Sequence, residues 1–224
     1  MKPITLYGKG GPNPPKVAMV LGELGLPYEA KMIPLHEVKD PEYTKINPNG
    51  RIPAIYDPNS DLTLWESGAI VLYLVDHYDK DHKISFPQGS KEAYLAQQWL
   101  FFQASGQGPY YGQSIYFNRY HHEKAQSTED RFNKEINRVT GVLEGWLEKN
   151  GPWLVGEKFS YADLAFLNWQ VNVDRFVAKE AFDGEQYPHV KKWIQAMSER
   201  PAIWSVLNEN ERVLREYLKS QGGQ

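Results

Sequence analysis

Two short runs of this 224-residue chain hold the residue types needed to grip a small peptide. In Asn47-Pro48-Asn49-Gly50-Arg51-Ile52-Pro53-Ala54-Ile55, an Ile-Pro pair stands just before a strand-like run. In Leu64-Trp65-Glu66-Ser67-Gly68-Ala69-Ile70, a Glu-Ser pair opens a helical one. A proline after an exposed turn can take the cis form, which bares the backbone of the residue before it. A helix that opens on serine offers a hydroxyl, unpaired N–H groups and the positive end of its dipole to an anion. Glu66 can accept from an ammonium group. Each feature also has a plain structural explanation: Pro53 as an edge-strand proline, and Ser67 as an ordinary N-cap beside a favourable acid. Taken together, the two runs fit capture of an amino acid or peptide by its backbone and carboxylate.

The elements that would position these residues follow from periodicity and punctuation. Pro3–Tyr7 reads as a strand, Gly8–Pro15 as a Gly/Pro loop, and Lys16–Leu24 as a helix with Pro14 and Pro15 in its first turn and Gly25 at its end. Tyr28–Ile33 alternates as a second strand, and Asp40–Lys45 is one helical turn. Ile52–Tyr56 and Leu62–Trp65 form a hairpin pair, followed by an amphipathic helix over Glu66–Tyr78. The order β-α-β-(α)-β-β-α fits an α/β thioredoxin-like domain over residues 1–82. Residues 83–90, polar with Pro and Gly, form a linker, and 91–224 form an all-α domain. Its helices are expected at Lys91–Gly106, Gln113–His122, Glu129–Asn150, Tyr161–Phe176, His189–Glu199 and Ile203–Ser220. Ser160-Tyr161-Ala162-Asp163 reads as a capping box, stapled by Phe159 and Leu164.

Composition narrows the chemistry. The formal net charge of −3 argues against a nucleic-acid or anionic-membrane surface. No apolar run approaches the roughly 20 residues of a spanning helix, and the N-terminus does not read as a signal peptide, so a cytoplasmic protein is expected. The chain has no cysteine. It therefore has no disulfide, no thiolate metal site and no cysteine nucleophile, and any thiol it uses must arrive on a small molecule. Gly8-Lys9-Gly10-Gly11 lacks phosphate-loop spacing and reads as a flexible loop. The adjacent His121 and His122 would point about 100° apart on a helix, with no acidic cluster near them in sequence, so no metal is expected.

Three motifs in this order, Asn47-Pro48-Asn49-Gly50-Arg51-Ile52-Pro53-Ala54, Trp65-Glu66-Ser67-Gly68-Ala69-Ile70 and Phe159-Ser160-Tyr161-Ala162-Asp163-Leu164-Ala165, resemble the cytosolic glutathione transferases over nearly the whole chain. Pro12-Asn13, Trp99-Leu100-Phe101-Phe102-Gln103-Ala104-Ser105-Gly106 and Gly108-Pro109 are similar to the fungal branch related to the yeast nitrogen-catabolite regulator, and to the bacterial Nu class. The regulator's long Asn/Gln-rich extension is not in this sequence.

The resemblance implies glutathione as substrate. Glu66 and Ser67 hold the γ-glutamyl end, and the backbone of Ile52 before cis-Pro53 pairs with the cysteinyl part like an added strand. Charged hydrogen bonds of this kind are worth roughly 1.5–3 kcal/mol each. Arg51 can meet the glycyl carboxylate, with Lys39 and His36 as alternatives in the preceding loop. In this branch the residue acting on sulfur is the Asn of Pro-Asn, here Asn13. One amide hydrogen bond to the thiolate would lower a thiol pKa from about 8.5 to about 7. Pro12, Pro14 and Pro15 have no N–H, so the donors at this helix start are the N–H groups of Gly11, Asn13 and Lys16 and the Asn13 side chain. The Asn13 oxygen can also cap the helix by accepting from the Lys16 N–H. Where Nu-class members carry a Thr, this chain has Gly11.

The second substrate is expected against Ser105–Gln113, with Tyr110, Tyr111 and Tyr116 lining its cleft. Asp163 is read as structural. The function implied is a glutathione transferase of detoxifying type, a homodimer, using the glutathione thiolate on disulfides, peroxides or electrophiles. The alternative is a glutathione-binding regulatory protein with little turnover.

Overall fold

The first strand, β1 (Ile4–Tyr7), buries Ile4 and Leu6 and leaves the alternate Thr5 and Tyr7 half-buried, as a period of two requires. It lies at the centre of a four-stranded sheet of order β2-β1-β3-β4 in the computed structural model, which describes residues 1–220. Strand β2 (Tyr28–Lys31) pairs with it in parallel, Ile4 opposite Tyr28. Strand β3 (Ala54–Asp57) pairs antiparallel on its other side, Leu6 opposite Ile55, and β4 (Leu62–Trp65) continues the hairpin.

Helix α1 (Pro14–Glu23) makes the β1–β2 crossover. It begins on two prolines, whose missing N–H groups cost nothing at these positions. The one-turn α2 is Pro41–Thr44, and α3 (Ser67–Tyr78) follows β4. Helices α1 and α3 pack on each other, α1 against β1 and α3 against β3 and β4. This is the thioredoxin-like arrangement expected.

The remaining helices are α4 (Lys91–Phe102), α5 (Gly108–Arg119), α6 (Gln126–Asn150), α7 (Tyr161–Gln170), α8 (Val173–Phe176), α9 (Pro188–Ser198) and α10 (Pro201–Ser220). A π-helical turn, Gln103–Gln107, carries α4 into α5 without a break. Helix α5 therefore starts earlier than the cluster of Gly and Pro suggested, with Pro109 in its first turn. The long helix expected over Tyr161–Phe176 is divided at Val171 and Asn172.

The chain forms two compact units. One is Ser85–Met197, containing α4 to α9. The other joins Met1–Ile84 to the residues from Ser198 onward. The last helix, expected with the helical half, thus packs on α1 instead. Ala202 sits against Gly22, Ile203 is buried, and Arg200 forms a bidentate pair with Glu23 at 2.7 and 3.0 Å. The segment read as a linker is anchored at its start. The buried Asp79 carboxylate accepts from the N–H groups of Lys83 (2.7 Å) and Ile84 (2.9 Å).

In the Ser85–Met197 unit, Trp99 packs edge-on against Trp146 and Phe166. A second cluster gathers Tyr111, Ile136, Val139, Trp169, Val173, Val177 and Phe182. The expected capping box is present. Asp163 accepts from Ser160 N–H (2.9 Å), and also from Leu154 N–H (2.8 Å) and Trp193 Nε1 (2.9 Å).

Candidate functional site

The edge before β3 is built by a turn that holds its own backbone. Gly50 adopts φ +57, and a Cβ there would meet the Val38 carbonyl at 2.6 Å, so glycine is required. The Arg51 carbonyl is clamped by the Asn47 side-chain amide (2.6 Å) and the Tyr43 hydroxyl (2.9 Å). Burial, against the opposing pull of Asn47, pushes the Tyr43 phenol up to about 12, which keeps it a donor. The Ile52–Pro53 peptide is cis, as expected. Among the described residues, neither the N–H nor the C=O of Ile52 has a backbone partner. Gly8, at φ +110, lies against Ile52, and a Cβ there would come within 2.7 Å of the Ile52 Cβ.

The start of α3 differs by one residue from the expected form. Glu66 is the N-cap, and Ser67 is the first helical residue. Glu66 has φ 70, ψ 113, a conformation non-glycine residues rarely adopt. Its carbonyl accepts from Ile70 N–H, while its side chain is exposed and makes no cap hydrogen bond. A strained residue beside an open helix start is the kind of feature that clusters at binding sites. The Ser67 hydroxyl is half-buried.

Behind it stands Lys16, which sequence reasoning treated only as a backbone donor. Its side chain is 1% exposed, and Nζ donates to Ser67 Oγ at 3.0 Å. Burial pushes its ammonium down to about 7, with the Glu66 charge working in the opposite direction. The signal in the sequence was indirect. Helix α1 is buried at Pro14–Leu21 and again at Glu23, so a lysine within it has no solvent-facing side.

Asn13 is the N-cap residue of α1 and is half-buried. It does not make the cap bond to Lys16 N–H anticipated for it. Its φ −99, ψ −37 are helical, whereas the extended backbone of a usual cap turns the side chain back over the helix end. The glycine loop before it, expected to be flexible, is tied down. Gly8 N–H donates to the Lys31 carbonyl at 2.9 Å, and Lys9 pairs with Glu209 on α10.

The remaining expected site residues fall differently. Arg51 is exposed, with no ion pair among the described residues. The Lys39 ammonium is bonded to the Asn49 carbonyl at 2.7 Å, which fits it to hold the turn. His36 lies at the surface beside Glu37. Of the three tyrosines assigned to a cleft wall, Tyr111 is corrected to a core residue. It is buried, and its hydroxyl is bonded to Thr140 (2.8 Å) and Gln170 (3.0 Å). Tyr110 is half-buried against Phe132, and Tyr116 is exposed beside Phe117 and His121. Neighbouring positions on α5 point about 100° apart, so Tyr110 and Tyr111 cannot share one face. His121 and His122 lie beyond the end of α5, their rings stacked at 4.8 Å. Among the described residues, no cluster of three or more His, Asp or Glu could hold a metal, and no helix is long and apolar enough to cross a membrane.

Comparison with known proteins agrees with this architecture. The family model for the glutathione S-transferase N-terminal domain matches residues 2–76, and that for the C-terminal domain matches residues 104–201. The glutathione S-transferase-like protein tpcF of Aspergillus fumigatus is 62% identical over 211 residues, covering 91% of this chain and 94% of that one. The transcriptional regulator URE2 of Saccharomyces cerevisiae is 34% identical over 240 residues, covering 91% of this chain and 67% of that protein. Among solved structures, the glutathione transferase URE2P6 of Phanerochaete chrysosporium, in complex with oxidized glutathione, superposes with a TM-score of 0.90 at 50% identity, covering 95% of this chain and 98% of that one. With both domains matched and relatives of this identity along nearly its whole length, the chain belongs to the glutathione S-transferase family, among fungal transferase-like proteins and the Ure2 group.

Proposed function

We propose that this chain binds glutathione in its N-terminal unit and uses the thiolate on disulfides, mixed disulfides, peroxides or electrophiles, with glutathione-dependent disulfide reduction as the leading reaction. The observation that carries this reading is the pairing of two open features in one unit: the unpaired backbone of Ile52 beside cis-Pro53, and the start of α3 at Glu66 and Ser67 backed by Lys16. The first suits a peptide added as a strand. The second suits an α-carboxylate on Ser67 and an α-ammonium on Glu66. Arg51, exposed at the same turn, is assigned to the glycyl carboxylate. Lys39 is engaged by the Asn49 carbonyl and His36 lies beside Glu37, which makes both the weaker choices. Relatives support the ligand: URE2P6 is solved with oxidized glutathione and Ure2p with glutathione.

Asn13 is assigned to the thiolate, its amide N–H donating to sulfur. Because the chain has no cysteine, disulfide reduction runs between small molecules. The glutathione thiolate attacks one sulfur of the disulfide and forms a mixed disulfide while the other sulfur leaves as thiolate. A second glutathione thiolate then attacks the glutathione sulfur of the mixed disulfide, giving oxidized glutathione and the second free thiol. The test is reduction of hydroxyethyl disulfide by the purified protein with glutathione. Asn13→Ala should lose about tenfold or more in rate, the equivalent of one charged hydrogen bond. An unchanged rate would remove Asn13 from the mechanism.

A second reading, a glutathione-binding regulator with little turnover, is favoured by the 34% identity to transcriptional regulator URE2. Capture of a specific partner, with no activity toward disulfide, peroxide or chlorodinitrobenzene, would establish it over the first. A homodimer is proposed with either reading. Supporting it, Tyr94 and Phe101 lie seven residues apart on α4 and are 65% and 64% exposed. Gel filtration at 25.8 kDa would refute it.

A further inference from the structure

A lysine buried within a helix is costly, because its charge must leave water. Lys16 is 1% exposed, and its Nζ donates to Ser67 Oγ at 3.0 Å. Lys16 is buried and Ser67 only half-buried, so Ser67 meets both the lysine and solvent at the start of α3. A hydroxyl can accept from an amine on one side while donating to an anion on the other. We propose that Lys16 is a positioning residue for the glutathione α-carboxylate: when that carboxylate docks on Ser67, the Lys16 amine takes up a proton, so that ligand capture is coupled to protonation of the lysine. The inference rests on the glutathione reading above.

The proton comes from the buffer acid, which is left as its conjugate base, and no bond between heavy atoms changes. The amine becomes an ammonium that donates to Ser67 Oγ, and the Ser67 proton turns to the carboxylate. Before binding, the opposing effects of burial and Glu66 leave Lys16 near pH 7, divided between its two forms. The ligand alters both sides of this balance. Its carboxylate arrives one hydroxyl away and favours the ammonium. Its ammonium pairs with Glu66 from the solvent side, which offsets part of the Glu66 influence. The nearer charge prevails.

Other charged groups on the elements packed against α1 are occupied or remote. Just before α10, Arg200 pairs with Glu23; on α10, Arg215 pairs with Glu211 and Arg212 with Glu209 and Glu216, while Lys9 from the glycine loop also reaches Glu209. Strand β1 brings Tyr7, and Asp76 and His77 lie at the far end of α3.

The experiment is calorimetric titration with S-methylglutathione, which has no ionisable thiol, in two buffers of different ionisation heat, HEPES and Tris at pH 7.5 and above, acetate and MES at pH 5.5. The difference in apparent heat between the two buffers gives the protons exchanged. At pH 7.5 the native protein should take up more than about half a proton per site, and near none at pH 5.5, where Lys16 is already charged. Between pH 7 and pH 8.5 the Kd should rise about tenfold. Lys16→Arg, charged throughout, should bind with a flat pH profile and exchange no protons. Lys16→Met should bind more weakly, also without exchange. A purely structural lysine would leave the native proton count at zero. Binding without proton uptake at pH 7.5 would overturn this inference and leave the glutathione reading standing. Uptake persisting in Lys16→Arg would assign the proton to another group and overturn it equally. No heat of binding in either buffer, together with no protection against thermal unfolding, would overturn the glutathione reading and this inference with it.

Discussion

Lys16 sits inside the fold with its Nζ against the Ser67 hydroxyl, an unusual place for an ammonium group. On most helices a lysine keeps its ammonium in water while its stem covers apolar neighbours, and nothing in Pro14-Pro15-Lys16-Val17 marks an exception. The exception is tertiary. Helix α1 is covered by β1, α3 and α10, and the hydroxyl that receives Nζ lies 51 residues further along the chain. By contrast, Ile52-Pro53 and Glu66-Ser67 were legible because turn and helix-start chemistry is local. The burial of Lys16 has a consequence without any ligand. The unfolded lysine titrates near 10.4 and the folded one near 7, so between these values the unfolded chain binds more protons and stability rises with pH. Below pH 7 the penalty is constant and largest. Comparing native protein with Lys16→Met by denaturant unfolding removes the contribution of all other groups. The difference should move in favour of the native protein by about 1 kcal/mol per pH unit from pH 7 toward pH 10. A difference independent of pH would mean that Lys16 is charged in the folded state throughout.

At the scale of elements, the sequence was most reliable where capping and punctuation agree with periodicity. Strand β4 and the end of α3 fall where expected, and α7 begins at its capping box. It was least reliable between α4 and α5. There Gly106, Gly108 and Pro109 look like breakers, yet the π-helical turn lets the chain continue, tied by Gln103 Nε2 to Gln107 Oε1 at 3.1 Å. Tyr111, in the first turn of α5, faces Thr140 and Gln170 in the core. The start of α7 also does more than its motif states. Asp163 satisfies its own cap and gathers Leu154 N–H and Trp193 Nε1 from outside the helix, so it fixes the 154–160 segment and α9 around one carboxylate. Asp163→Ala should leave these buried donors unpaired and destabilise the protein by about 3 kcal/mol or more. A loss below about 1 kcal/mol would reduce Asp163 to an ordinary helix cap.

For the whole molecule, an amphipathic pattern announces that a helix face will be buried but not what will cover it. This is why α10 was assigned to the helical half by its position in the chain, when its partner is α1, roughly 180 residues earlier. The consequence is that the thioredoxin-like unit is discontinuous. Residues 1–84 contain the sheet, α1 and α3, but lack the Arg200–Glu23 pair, the Ala202 contact with Gly22, the Lys9–Glu209 tie on the glycine loop and the buried Ile203. Glu23 itself is 4% exposed, so without Arg200 a carboxylate would be left beside apolar surface with its bidentate partner gone. A small domain has little stability in reserve. Expressed alone, residues 1–84 should therefore populate a loosened state that binds a hydrophobic dye and unfolds without a cooperative transition. A synthetic peptide of residues 198–220 added in trans should restore cooperativity and abolish dye binding. A cooperative, dye-free fragment of residues 1–84 would show that α10 adds little to the unit.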